Sequence, residues 1–178
     1  MMENITVNGV AYPVKSLLGK GKGGYSYLVE KDGQQLVLKQ IHHEPCSYYT
    51  FGDKLQSELR DYQRLCRAGI RMPKLLAVDE VNERLLKEYI HGPTVYQLVT
   101  EDAPMGDLLA QVREIAGQAA ASGLNIDYFP TNFVANEGVI YYVDYECNEY
   151  MEQWNFENWG IKYWSKTPEF LEQLKNNP

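Results

Sequence analysis

Asp127-Tyr-Phe-Pro-Thr-Asn132 and Val143-Asp144-Tyr145-Glu146 are the two stretches on which the fold turns, with Asn132 and Asp144 twelve positions apart. The segment between them reads as a β-hairpin. Phe133-Val134-Ala135 leads in, Asn136-Glu137-Gly138 supplies turn residues, and Val139-Ile140-Tyr141-Tyr142-Val143 leads out. Such a hairpin brings its two ends together, so Asp127, Asn132 and Asp144 are expected to converge on one small volume. Two carboxylates and an amide oxygen form a hard-oxygen set suited to Mg²⁺, which takes few protein ligands and keeps substrate phosphates as others. An aspartate left over can accept the proton of an attacking hydroxyl, which is the chemistry of phosphoryl transfer.

A second region supports the same chemistry. Leu18-Gly19-Lys20-Gly21-Lys22-Gly23-Gly24-Tyr25-Ser26-Tyr27-Leu28-Val29 reads as a glycine-rich loop followed by a strand, and Asp32-Gly33 then turns the chain into Val37-Leu38-Lys39. Glycines allow close approach of the backbone, so that N–H groups can point at phosphate oxygens. Two registers fit. Gly19, Gly21 and Gly24 match G-x-G-x-x-G literally, whereas Gly21, Gly23 and Ser26 place Tyr25 at the tip and Leu28 as the following apolar residue. The second is preferred, with Gly24 beside it.

The combination resembles the protein-kinase-like phosphotransferases. Asp127 with Asn132 five positions on resembles their catalytic loop, Asp144 their metal-binding aspartate, and Lys39 the lysine that holds nucleotide phosphates. Pro130 inside the loop, and Glu146 in place of a glycine, are more like the RIO-type kinases, the small kinase of the KEOPS complex, and the aminoglycoside and choline phosphotransferases. Asn125 stands where many relatives carry histidine. The chain also resembles small bacterial proteins described as serine/threonine kinases. The resemblance runs over about residues 17 to 165.

It implies further roles. Glu58, on a segment with Leu55, Leu59, Tyr62, Leu65 and Cys66 at helical spacing up to Gly69, is expected to pair with Lys39, and Glu44 is the fallback partner. Pro73–Val78 and Arg84–Ile90 read as strands. The second resembles the hinge, where the backbone of Glu88 and Ile90 would meet an adenine edge. Lys87 stands where relatives place an apolar residue; its side chain either snorkels outward or makes the purine pocket unusual. Beyond the hinge, Thr94–Thr100 reads as a short helix. Asp107 caps a longer one with Leu108, Leu109, Val112, Ile115, Ala116 and Ala119 on its apolar face, and Pro168–Leu174 is a last helix.

Composition fits a small enzyme. The chain has 178 residues, 44% of them hydrophobic and 23% charged, enough for one domain. A net charge of −7 argues against non-specific binding to nucleic acid or to an anionic membrane. No apolar run reaches membrane-span length, and the N-terminal residues do not resemble a signal peptide. Cys46, Cys66 and Cys147 form no C-x-x-C pair and read as free thiols of a reducing cytoplasm. His42 and His43 read as a surface pair. After Asp144 only 34 residues remain, too few for a long activation segment and the helices that follow it in eukaryotic protein kinases. Trp154, Trp159 and Trp164 in that tail read as core in preference to a stacking platform.

The expectation is therefore an α+β, two-lobed kinase-like domain over residues 1–178. Residues 1–90 form an antiparallel-sheet N-lobe and 91–178 a truncated, mainly helical C-lobe. ATP lies between the lobes under Gly21, Gly23, Gly24 and Ser26, with Lys39 on its phosphates, Glu58 orienting Lys39, Asn132 and Asp144 on Mg²⁺, and Asp127 as proton acceptor. The favoured acceptor is a serine or threonine of a protein. A small-molecule hydroxyl is the runner-up, and a nucleotide-binding pseudokinase is the third reading.

Overall fold

The computed structural model describes residues 3–44 and 53–176, so Cys46 lies outside the described residues. By internal contacts the chain divides into two compact units. One takes in the residues up to Leu59 together with Pro73–Tyr89, the other Arg60–Met72 with the residues from Ile90 on. The architecture is α+β, with an antiparallel sheet in the N-terminal part.

The first unit is built on six strands: β1 (Asn4–Val7), β2 (Val10–Lys20), β3 (Gly24–Lys31), β4 (Gln34–Ile41), β5 (Leu75–Asp79) and β6 (Arg84–Glu88), in the order β1-β2-β3-β4-β6-β5. Two of its hairpins close on two-residue turns, Asn8-Gly9 and Asp32-Gly33, with positive φ at both positions. That geometry matches the twist of paired strands and favours Asn-Gly and Asp-Gly. Strand β2 runs further than the sequence implied. It continues through Leu18 and Gly19 to Lys20, with register shifts between Val14 and Ser16 and between Leu17 and Gly19, so only residues 21–23 remain as the turn before β3.

Cross-strand register sorts the sheet into two faces. Tyr27, Val29, Leu36, Leu38 and Leu86 form a cluster with Ile5, Val7, Tyr12 and Val14 of β1 and β2. The pairs Gly24–Ile41, Ser26–Lys39, Lys39–Leu85 and Val37–Lys87 define the other face. There Ile41 and Leu85 pack with Leu55 and Leu59 of helix α1 (Lys54–Ala68), which Gly69 ends at φ 82°. Lys39 thus lies on the side of the sheet that α1 covers.

The second unit holds the later part of α1, with Leu65 in its core, and three further helices: α2 (Val95–Thr100), α3 (Leu108–Ala121) and α4 (Pro168–Asn176). Thr94 caps α2 in a reciprocal box with Gln97. Leu108, Val112, Ile115 and Ala119 recur on one face of α3 and are buried. Asp107 precedes α3 as expected, but its carboxylate accepts from Gln111 Nε2 at 3.0 Å instead of bonding the helix backbone. Two short ladders complete the unit. β8 (Phe133–Asn136) pairs with β9 (Val139–Tyr142), and β7 (Leu124–Asn125) pairs with β10 (Asn148–Glu149).

The three tryptophans do not share one environment. Trp164 is 1% exposed and donates its indole N–H to Tyr128 O at 2.8 Å, which satisfies the one polar atom such burial would strand. Trp154 is 48% exposed, so the expectation of core holds for Trp164 and not for Trp154. Trp159 is half-buried between Trp154 and Tyr163. No described helix is long and apolar enough to cross a membrane.

Candidate active site

In the first unit, Lys39 Nζ stands 2.9 Å from Glu58 Oε1. Strand alternation puts Leu38 on one face and Lys39 on the other. Glu58 lies on α1 between Leu55 and Leu59, and this neighbourhood leaves it 8% exposed. A carboxylate so placed is costly unless paired, and Lys39 supplies the pair. Glu44 is engaged elsewhere: it accepts from Tyr25 Oη at 2.7 Å and pairs with Lys20 at 3.0 Å. Those bonds, Tyr25's first, hold the Glu44 carboxyl below its ordinary value, and the hydrogen bond to Glu44 raises the Lys20 ammonium.

The glycines have distinct duties. A Cβ on Gly24 would come within 2.4 Å of Gln40 O, so Gly24 is demanded by the closeness of β3 to β4. A Cβ on Gly23 would lie 3.7 Å from Lys39 Nζ, which places the turn beside that ammonium. Gly21 borders open space, and its N–H closes the turn onto Gly24 O at 2.9 Å. Ser26 faces Lys39 across the ladder. Lys87, 5% exposed and opposite Val37 on the same face, does not snorkel outward. Glu88 donates its N–H to Lys74 O at 3.0 Å and its carboxylate accepts from Lys74 N at 2.7 Å, so a base edge would have to be read by its carbonyl. Ile90 is where the chain passes from the first unit back into the second.

In the second unit, Asp127, Asn132 and Asp144 converge because the chain from Leu124 to Glu149 is closed twice. The β8–β9 ladder ties its inner part and β7–β10 its outer ends, and the arms 127–132 and 143–147 run between these ties. Val143 N donates to Asn132 O at 2.9 Å, setting Asp144 beside Asn132. Asn132 Nδ2 donates to Asp127 O at 3.4 Å, which leaves Oδ1 as the amide atom able to meet a cation. Pro130 starts a single 3-10 turn through Asn132, and Phe129 N donates to Asp127 Oδ1 at 3.0 Å, fixing one carboxylate oxygen. Past Asp144, Cys147 N donates to Asp61 Oδ2 at 3.4 Å, and the rings of Tyr62 and Tyr145 stack obliquely at 4.5 Å. Burial first, and the Asp61 carboxylate second, push the Cys147 thiol up to about 11, so it is an inert thiol.

Three contributors escaped the sequence. Tyr142 is buried, accepts from Asp127 N at 3.4 Å and donates to Glu146 O at 2.8 Å. Burial, with the Asp144 and Asp127 carboxylates beside it, raises its phenol well above the ordinary range, so it stays protonated as a strut under both arms. His42 is no surface residue: its side chain is 10% exposed and its ring reaches Gly21 O at 2.8 Å, while His43 is open to solvent at 58%. Lys54, 5% exposed, donates to Lys22 O at 3.2 Å. The Gly24–Ile41 pairing, which sets residue 42 beside Gly23, is the one signal that could have exposed the role of His42. Asn125 donates from Nδ2 to Trp154 O at 2.8 Å, and among the described residues its buried Oδ1 has no hydrogen-bond partner.

The donor set fits Mg²⁺. Asn132 and Asp144 carry hard oxygens on backbone positions held side by side by the Val143 N to Asn132 O bond, and Mg²⁺ characteristically uses one or two such protein ligands. Among the described residues no three His, Cys, Asp or Glu side chains form a ready cage, so ligand phosphates would have to complete the shell.

No family model matches the chain. Two curated proteins do. KEOPS complex subunit Bud32 of Pyrococcus abyssi is 29% identical over 97 residues, 52% of this chain. YrzF of Bacillus subtilis, which carries the provisional name of a serine/threonine-protein kinase, is 27% identical over 146 residues, 79% of this chain. Both relatives are protein-kinase-like. The chain spans 44% of the length of the first and 64% of the second. The resemblance stated from the motifs is thus met by proteins of the expected kind.

Proposed function

We propose that this chain is an ATP- and Mg²⁺-dependent phosphotransferase with a two-lobed kinase-like arrangement, residues 1–90 and 91–178, acting on a hydroxyl, with serine or threonine of a protein as favoured acceptor. The observation that carries the reading is the 2.9 Å pair of Lys39 and Glu58 beside a glycine turn, in a chain that elsewhere gathers Asp127, Asn132 and Asp144. The two kinase-like relatives support it at the level of the family. Lys39, oriented by Glu58, binds the α/β-phosphates, and the turn at Gly21–Gly24 with Ser26 covers them. Glu88 and Ile90 meet the base through their backbone. Asn132 and Asp144 hold the metal, which when bound neutralises charge on the phosphates. The second oxygen of Asp127 accepts the acceptor's hydroxyl proton while the first stays fixed by Phe129 N. Such catalysis is positioning plus electrostatics, which these few groups can supply. Free Cys66 and Cys147 agree with a reducing, cytoplasmic setting.

Buried Lys87 favours one second reading, a module that binds nucleotide without transferring phosphate, because a cation there alters the purine end of the pocket. Thermal shift and labelled-phosphate transfer together separate the two. A ligand at a hundred times its dissociation constant stabilises the fold by about 2.7 kcal/mol, which for this size raises Tm by roughly 5–11 °C. That shift with Mg²⁺-ATP plus transfer to lysate protein supports the kinase reading. A shift without transfer to protein or metabolite supports the module, and no shift at millimolar Mg²⁺-ATP rules out both.

A further inference from the structure

Residues 21–23 form a turn whose three successive carbonyls are all taken by donors from His42 and Lys54. Gly21 O accepts from His42 Nε2 at 2.8 Å, Lys22 O from Lys54 Nζ at 3.2 Å, and Gly23 O from His42 N at 3.2 Å. Lys54 Nζ also bonds His42 O, so the two donors brace each other. The histidine tautomer follows from its other bond. Glu44 N donates to His42 Nδ1 at 3.3 Å, which makes Nδ1 an acceptor and puts the ring hydrogen on Nε2, aimed at Gly21 O. A lysine as buried as Lys54 is tolerated where its ammonium protons are hydrogen-bonded, and Lys22 O and His42 O accept from it here.

A backbone turn that receives phosphate must offer N–H groups and keep its carbonyl oxygens out of the way, since those oxygens repel the anion. The three bonds do that, and they hold Gly23 beside Lys39 Nζ. We propose that His42 and Lys54 are positioning residues for the glycine turn, presetting it to receive the phosphates of a nucleotide and so setting triphosphate affinity without touching the base. The proposal rests on the nucleotide reading above.

The test compares Mg²⁺-ATP with adenosine, which lacks phosphates, on the full chain: wild type, His42→Ala, His42→Gln and Lys54→Met. His42→Ala and Lys54→Met are expected to weaken Mg²⁺-ATP binding about tenfold, the scale of one charge-assisted or geometry-setting hydrogen bond, with adenosine binding unchanged. The ATP KM should rise alike while kcat stays near wild type. His42→Gln, whose amide nitrogen can stand for Nε2, should recover most of the affinity. Wild type binding Mg²⁺-ATP with both variants equal to it overturns the positioning role alone. Equal loss of ATP and adenosine binding overturns it too, because that is a general disturbance of the unit. Wild type failing to bind Mg²⁺-ATP removes the nucleotide reading and this proposal with it. If Lys54→Met does not fold, the His42→Ala and His42→Gln pair decides.

Discussion

Lys39 reaches Glu58 through side chains largely shielded from water, whereas Asp127 lies exposed on a loop held by its backbone, with Phe129 N on one oxygen of its carboxylate. The lysine half is seated on a sheet face under a helix, with its cation and carboxylate already paired. The aspartate half is a pair of arms strung between two short ladders, with Asp144 half-buried. Side-chain pairing in a low-dielectric setting couples function to stability, since losing one partner strands the other. Backbone fixing separates them, because a carboxylate can change while the loop stays put.

That contrast can be broken most directly by paired substitutions. Asp127→Asn should lower transfer by about 10²–10⁴-fold, the usual worth of a positioned acid–base group, with Tm within a degree or two of wild type. Lys39→Met should also abolish transfer, yet cost about 3 kcal/mol of stability, the low end for breaking a buried pair, because Glu58 is left without its cation. Denaturant titration beside a phosphate-transfer assay checks both. Equal stability of the two variants would remove the distinction between the halves.

The tail offers a second contrast. Trp164→Ala should cost about 3–5 kcal/mol, since it empties core space and orphans Tyr128 O. Trp154→Ala should stay within about 0.5 kcal/mol, as for other exposed positions. Acrylamide quenching of the single-tryptophan variants gives an independent check, with Trp154 quenched and Trp164 protected. Comparable protection of both would mean that one environment serves the whole tail.

The sheet and the hairpins were legible because their signals are local. Asn8-Gly9, Asp32-Gly33 and Glu137-Gly138 all turn with positive φ at both residues, and apolar alternation on either side fixes which face is buried. Helix α1 announced itself through spacing and its glycine stop. The β7–β10 ladder did not, since two-residue strands carry no periodicity and exist only through pairing 23 or more positions away. His42 and Lys54 were missed for a related reason: their partners are backbone carbonyls, brought to His42 by the β3–β4 register and to Lys54 by where helix α1 begins, and residue type encodes neither. Trp154 was misjudged because aromatic density says nothing about which ring a 3-10 turn leaves outside.

A smaller effect probes the far end of the first unit. Asp79 accepts from Asn82 through both side chain and backbone and from Asn8 N, and these bonds, with Arg84 near, draw its carboxyl from the ordinary 3.8 to about 2. A depressed folded-state value means stability present above the ordinary carboxylate range and lost as pH falls toward the folded value. Asp79→Asn should therefore melt slightly below wild type at pH 7, with the gap closing as pH drops from about 4 toward 2. A gap that persists undiminished to the lowest pH at which the fold survives would place its cause outside ionisation.

The twice-closed run from Leu124 to Glu149 also settles where the chain can be opened. At its tip, Glu137 and Gly138 are exposed, while Gln111 of α3 grips the hairpin from Gly138 onward, donating to Gly138 O at 2.7 Å and accepting from Ile140 N at 2.9 Å. A peptide spliced between Glu137 and Gly138 would leave that grip and both ladders on its far side, and lengthening such a loop costs only about 0.6 kcal/mol per doubling. The tip is thus a natural port for a fluorescent or affinity insert, one that would report on the acidic arms from the end of their own hairpin without replacing a single residue of them.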